Sequence, residues 1–157
     1  MKHRILLIAS AILVVGALVA SSTRVFAANS KKKVTTQQNL KYFKRIVMST
    51  PYDVHFVQGD KNVVKLVGPQ AEVASVVLRV SGETLYIERA TRRSRMFFTS
   101  SDDVDIYVTS PDLTQLEIKG SGDFEANRRV DTDQLTVSIN GSGDIDFKDV
   151  ICDKLEA

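Results

Sequence analysis

The sequence predicts an all-β protein: a parallel β-solenoid preceded by β-hairpins, with almost no helix apart from an export signal. Three observations lead there. Leu113-Thr-Gln-Leu-Glu-Ile-Lys-Gly-Ser-Gly-Asp-Phe124 and Gln134-Leu-Thr-Val-Ser-Ile-Asn-Gly-Ser-Gly-Asp-Ile145 state one pattern twice, 21 residues apart when Gly120 is laid on Gly141. A fixed period in this range marks stacked units, each burying its apolar face on the next. Elsewhere, short segments rich in Val, Ile, Tyr and Phe alternate with polar residues, the two-residue period of a half-buried strand. Nothing after Ala28 carries a 3.6-residue apolar period; the best helical candidate, Glu72 to Leu78, holds Val73, Val76 and Val77, which favour strand.

The elements follow in order. Met1-Lys-His-Arg4 is basic, Ile5 to Ala20 is almost unbroken apolar, and Val25-Phe-Ala27 is a small-x-small cleavage site. This is a secretory signal peptide over residues 1–27. An uncleaved anchor is the competing reading, but the apolar run is about 16 residues where a span needs about 20. No cysteine stands at the cleavage site, which disfavours a lipid anchor. Residues 28–39 are polar and aperiodic and read as a linker or frayed start, with Lys31 to Lys33 solvated. A single domain then occupies residues 40–157.

Phe43 to Met48 is a first strand, ended by Thr50-Pro51 because proline cannot donate to a ladder. Tyr52 to Gln58 alternates with Tyr52, Val54 and Phe56 on one face. Gly59-Asp-Lys-Asn62 turns the chain and Val63 to Val67 returns, which reads as a hairpin. A second pair joins Ser75–Val80 to Thr84–Glu88 through Ser81-Gly82-Glu83. Val104 to Val108 alternates with Val104, Ile106 and Val108 inward.

The two repeat copies then follow, with Arg128 to Asp133 as a polar corner between them. Leu155 lies 20 residues beyond Leu135, where a third copy would begin. A 21-residue period without helix leaves room for about three strands of four or five residues at roughly 3.3 Å per residue, plus turns. Leucine-rich repeats have a similar period, but the asparagine that family needs is missing. The paired glycines of Gly120-Ser-Gly122 and Gly141-Ser-Gly143 serve the corners of the coil.

Composition narrows function. Of 157 residues, 43% are hydrophobic and 25% charged, an ordinary globular balance. Lys2, Arg4 and Arg24 lie in the first 27 residues and no acidic residue does; removal leaves 18 of the 21 basic residues against 19 acidic ones, about −1 net. Bulk attraction to nucleic acid or anionic membrane fails on that balance. Cys152 stands alone, so it closes no internal disulfide and builds no thiolate metal site.

At this point the residues carry a family resemblance. Tyr52-Asp-Val-His-Phe-Val-Gln-Gly-Asp60, Leu85-Tyr-Ile87, Val104-Asp-Ile-Tyr-Val-Thr-Ser-Pro111 and both Gly-Ser-Gly-Asp copies, in this order, resemble the GIN-domain family of auto-transporter adhesin heads, exported bacterial proteins. The similarity covers most of residues 40–157. It implies a right-handed β-helix-like domain without established enzymatic activity. Family domains continue for further coils, and this chain departs by stopping early in one, as a C-terminally truncated form would. The label supplies no binding residues to transfer.

Candidate chemistry is sparse. Asp123 and Asp144, if equivalent on adjacent coils, lie about 4.8 Å apart, and a hard cation such as calcium would relieve their repulsion. Alternatively each caps its own Gly-rich turn; both readings stay open. His55, the sole histidine after signal removal, sits opposite the Val54/Phe56 face without a nucleophile elbow in the sequence. Asp123, Asp144, Asp146, Arg128 and Arg129 could serve a solenoid polysaccharide lyase or hydrolase only if they converge. The loop Ala90 to Ser101, with Arg92 to Phe98 at its centre, is a basic-aromatic candidate for nucleic acid or a glycan's acidic group, set against an exposed loop whose aromatics fold back on the core. No residue is assigned as catalytic, cofactor-binding or metal-binding, and no cofactor is expected. The expectation is an exported, periplasmic or surface protein with an adhesin-like recognition or structural role. Its partner is a glycan or surface protein rather than nucleic acid, with self-association through the last coil. A solenoid carbohydrate-active enzyme is the alternative.

Overall fold

The computed structural model describes residues 32–90 and 104–157. Strands β1 (Lys33–Asn39), β2 (Arg45–Ser49), β3 (Val54–Gln58) and β4 (Val63–Pro69) lead into a single helical turn, α1 (Gln70–Val73). Then come β5 (Val76–Ser81), β6 (Thr84–Arg89), β7 (Asp105–Ser110), β8 (Gln115–Ile118), β9 (Phe124–Ile139) and β10 (Ile145–Glu156). All ten strands belong to one sheet in the order β1-β4-β7-β3-β9-β8-β2-β6-β5, with β10 added to β9. The sheet is open and curled: β9 pairs with β3 at its beginning and with β8 at its end, so the ladder wraps around the core.

The repeat is visible as register. Leu116 pairs with Val137 and Ile118 with Ile139 across β8 and β9, and Phe124 pairs with Ile145 across β9 and β10, all parallel. The same rows extend to earlier parts of the chain: Ile46 lies between Leu85 and Leu116, and Val54 between Ile106 and Phe124. The inward side chains of these rows, Leu85, Ile46, Leu116, Ile106, Val54 and Phe124, have no exposed surface. Full burial of one such side chain contributes about 1.5–3 kcal/mol. Phe56, Phe124 and Phe147 continue the stack, with ring centroids 5.9 Å and 5.5 Å apart.

Several expectations need correction. In place of a parallel solenoid preceded by separate hairpins there is one open mixed sheet, in which β1–β4 and β4–β7 are antiparallel pairs that the sequence did not suggest. The hairpin expected between β3 and β4 does not form: β7 lies between them, parallel to β3 and antiparallel to β4. Residues 33–39, expected as linker, form the edge strand β1 against β4. Arg128 to Asp133 makes no break, because β9 runs through it; the irregularity is a bulge at its start, where Asn127 and Arg128 of β9 stand opposite Lys148 alone on β10. The expected β5–β6 hairpin is present. Its turn places Gly82 at φ 52° and Glu83 at φ 63°, the positive pair of a type I′ connection.

The corners stack as closely as the strands. Thr50 to Asp53, Gly120 to Asp123 and Gly141 to Asp144 lie one upon another, with Gly122 N–H donating to Thr50 O (3.1 Å) and Ser142 N–H to Gly120 O (3.0 Å). A Cβ on Gly120 or Gly122 would overlap the carbonyl of Thr50 or Tyr52, and one on Gly141 or Gly143 the carbonyl of Gly120 or Gly122. Close backbone approach, rather than positive φ, is why glycine is needed here; the positive φ expected at these corners is absent, as Gly82 is the only positive-φ glycine among the described residues. Gly120→Val and Gly143→Val are therefore expected to cost about 3 kcal/mol or more each in urea denaturation. Gly82→Ala, where nothing lies within 4 Å of the added carbon, should cost about 1 kcal/mol through backbone conformation alone. Equal losses at corner and turn would contradict the close-stacking account.

Candidate functional site

Strand alternation sends Val54 and Phe56 into the core and leaves His55 on the outer face, as the sequence predicts. There it joins a row running across the sheet: Gln37, Lys65, Tyr107, His55, Glu125 and Asp146 are successive register partners on β1, β4, β7, β3, β9 and β10. His55 Nδ1 lies 3.3 Å from Glu125 Oε2, and Nε2 lies 3.6 Å from Asp105 Oδ1. The imidazole stacks on Tyr107 with centroids 5.0 Å apart, and the Lys65 ammonium lies 4.5 Å from the same ring. Among the described residues no hydroxyl or thiol nucleophile bonds to His55. The row offers an amine, a phenol, an imidazole and carboxylates on a rigid backbone, which suits hydrogen bonding to a polar polymer.

The aspartates expected as metal ligands or caps of their own turns do something else. Asp123 N–H donates to Asp53 Oδ1 (3.0 Å) and Asp144 N–H to Asp123 Oδ1 (2.9 Å), so the Asp53 and Asp123 carboxylates each cap the corner stacked on them. Among the described residues no group of three or more His, Cys, Asp or Glu is placed to hold a metal ion. Arg129 does not meet them: its guanidinium bonds Asp149 at 2.7 Å, which holds it above its ordinary range. Asp146 instead extends the row beyond Glu125. Cys152 is half-buried, opposite Thr132 in register. The signal segment and Arg92 to Phe98 lie outside the described residues.

Two features escape the sequence. Glu72 on α1 is buried and accepts from the Tyr52 hydroxyl and from Arg89 Nη2 (2.9 Å), while Ser75 Oγ donates to Glu72 O (2.6 Å). This network ties α1 to the first corner and to the end of β6. Its only sequence signal is an acid among valines. The second feature is a cleft of about 420 Å³ between β1, β4, α1 and β5, lined by Val34, Leu66, Val73 and Val76 with Thr36, Gln38 and Gln70. No helix among the described residues is long and apolar enough to cross a membrane.

With this geometry in hand, comparison with known proteins is decisive on ancestry. The model of the family described as "Putative auto-transporter adhesin, head GIN domain" matches residues 42–157. The chain belongs to this family. A putative adhesin from Bacteroides fragilis is 29% identical, superposes with a TM-score of 0.72, and is matched over 80% of this chain and 57% of its own. A putative adhesin from Parabacteroides merdae shares the fold at 14% identity and TM-score 0.61, over 81% of this chain and 58% of its own. A protein from Parabacteroides distasonis named as a putative lipid binding protein does so at 19% identity and TM-score 0.63, over 81% and 62%. The chain thus spans less than two thirds of the length of each of these structures. No protein of curated function matches it.

The Tyr52–Glu72 contact carries a pH signature. Burial first, and the hydrogen bond to Glu72 second, push the Tyr52 phenol above its ordinary range. A group raised on folding contributes fully below its unfolded value, about 10 for tyrosine, and that contribution is lost as pH rises through the higher folded value. The wild type should therefore lose more stability than Tyr52→Phe between about pH 9 and about pH 12, followed by urea midpoints. Parallel alkaline profiles would show that Tyr52 is not the group responsible.

Proposed function

We propose that this is an exported, non-enzymatic recognition protein of the cell envelope or surface. It would work in the adhesin-like manner that the family description names, through the outer face of β4, β7, β3 and β9. One observation carries the reading: the in-register row Lys65, Tyr107, His55, Glu125, closed by Asp105, presents polar groups at strand spacing on a preformed surface. A glycan or a surface protein is the ligand class such a row fits, since every group on it can donate or accept hydrogen bonds. Export rests on the signal segment over residues 1–27. The enzyme alternative needs converging carboxylates, and Asp123 and Asp144 spend their lone pairs or backbone on neighbouring corners. The parallel strands are, on this reading, coils of a right-handed β-helix, supported by the 21-residue register and by the family's expected architecture.

A second reading has its own observation. The cleft beside β1 is lined by aliphatic side chains with only uncharged polar groups, which suits an apolar chain with a small polar head. The lipid-binding name given to the Parabacteroides distasonis protein is in keeping with it.

A glycan and matrix-protein binding screen of the purified protein tests the first reading. His55→Ala combined with Glu125→Gln is expected to weaken any ligand found by about tenfold, or about 1.4 kcal/mol, with an unchanged melting temperature. Variants in Arg92 to Phe98 and in Val34 serve as parallel arms. Binding lost through the loop or cleft variant, and kept in the His55/Glu125 variant, would move the site away from the outer face.

A further inference from the structure

The outer face has a polarity of its own. Across the sheet its successive outward residues run Gln37, Lys65, Tyr107, His55, Glu125 and Asp146, one from each of β1, β4, β7, β3, β9 and β10. An amide and an ammonium stand on one half, two carboxylates on the other, and two rings at the centre. Among the described residues Lys65 meets no carboxylate and Asp146 no cation. Around the rings the face is apolar. Val57, Val63 and Val67 point outward, because Phe56, Val64 and Leu66 beside them fill the core, and all three are half-buried. Tyr107 in their midst keeps 40% of its surface exposed. A small apolar centre with an aromatic anchor, rimmed by charge, is the make-up of a protein–protein contact.

We propose, resting on recognition through the outer face, that the surface protein bound there is a second copy of this chain, so that adhesion is homotypic. Let one copy be turned over about a two-fold axis lying in the contact plane, parallel to the strands and midway between Tyr107 and His55. Its row then lies on the first in reverse order. Lys65 of each copy meets Glu125 of the other, Gln37 meets Asp146, and Tyr107 meets His55. Every pair is complementary: ammonium on carboxylate, amide on carboxylate, phenol on imidazole. Thr109 on β7 meets Val57 on β3 of the other copy, which closes the apolar centre. The axis makes each pair twice, the self-complementary pattern of an isologous contact. A neutral glycan makes no use of this segregation of charge, and a polyanion is repelled by the carboxylate half of the row. Six strands about 4.8 Å apart make a face at the low end of specific interfaces, under about 1,200 Å² in total. Single contacts of that size are weak and become strong where many copies meet across two surfaces.

Sedimentation of the purified protein at concentrations into the millimolar range is expected to show a monomer–dimer equilibrium. Lys65→Glu and Glu125→Lys should each weaken it by about tenfold or more, because either reversal sets like charges opposite one another twice per dimer. An equimolar mixture of the two variants should associate again, since opposite charges then meet at both positions. That rescue separates direct contact from a structural effect of either substitution, and thermal melts check that both variants are folded. Tyr107→Ala should also weaken the dimer by about tenfold. Three results would overturn the proposal: protein that stays monomeric, association that survives both charge reversals, or a mixture that associates no better than its components. The binding screen with His55→Ala and Glu125→Gln decides outer-face recognition separately. A glycan or unrelated protein lost in that variant keeps the face as a site and removes only the second copy as its partner.

Discussion

Backbone-to-backbone contact at the stacked corners sets the geometry of everything around it. Where the chain passes from one side of the core to the other, the peptide groups of one corner hydrogen-bond those of the next: Lys119 N–H to Met48 O, Gly122 N–H to Thr50 O, Asn140 N–H to Ile118 O, Ser142 N–H to Gly120 O. No side chain fits between them. Because the bonds are made by the main chain, the offset between corners becomes the offset between strands, and all flanking rows inherit one register. A slip of one residue would carry Leu116, Ile118 and Phe124 from the core to solvent and bring Glu117 and Glu125 inside. Each buried charge without a partner would then cost several kcal/mol. Corner and core therefore enforce the same alignment.

That alignment also builds the outer face. His55, Glu125 and Tyr107 meet because Val54, Phe124 and Ile106 meet one residue earlier on the inside. No loop has to fold to bring the row together, and little conformational entropy remains to be lost when a ligand lies across it. Exposed ion pairs such as His55–Glu125 add little to stability, about 0–1 kcal/mol at most. Their fixed spacing matters more than their strength, since it sets the pattern of donors and acceptors that the face presents.

Much of this was legible in the residues. The 21-residue offset appears directly as Leu116 over Val137 and Phe124 over Ile145, because a coil repeats its sequence wherever it repeats its geometry. The glycine pairs pointed to corners, though the reason is close approach and not the positive φ that turn chemistry suggests. The β3–β4 arrangement was hidden: a four-residue connection looks like a hairpin, and only a strand arriving some 40 residues later, β7, decides otherwise. Strand β1 was hidden for a different reason. Lys33 to Asn39 is exposed on almost every residue, so no apolar alternation is required of it, and its pairing rests on β4's backbone. The aspartates were legible as caps but not as caps of the adjacent coil, since one sequence cannot tell which neighbour lies above. The Glu72 network needed three elements in place before an acid among valines made sense.

Directionality is the last consequence of the corner. A sheet ladder presents donors and acceptors on both sides of every strand, so ordinary edges are indifferent to what pairs with them. Here the aspartate breaks that symmetry. Its backbone N–H faces one neighbour and its carboxylate the other, and glycine is demanded only of the coil that stacks on a carbonyl already in place. One side of each coil is thus a template and the other its complement. Strand pairing alone would accept nearly any extended segment, whereas each coil inside this stack meets two further conditions, absence of Cβ at two positions and an N–H at a third. Repetition of Gly-Ser-Gly-Asp along the chain is what a stack needs if each coil must both satisfy the rule and impose it on the next.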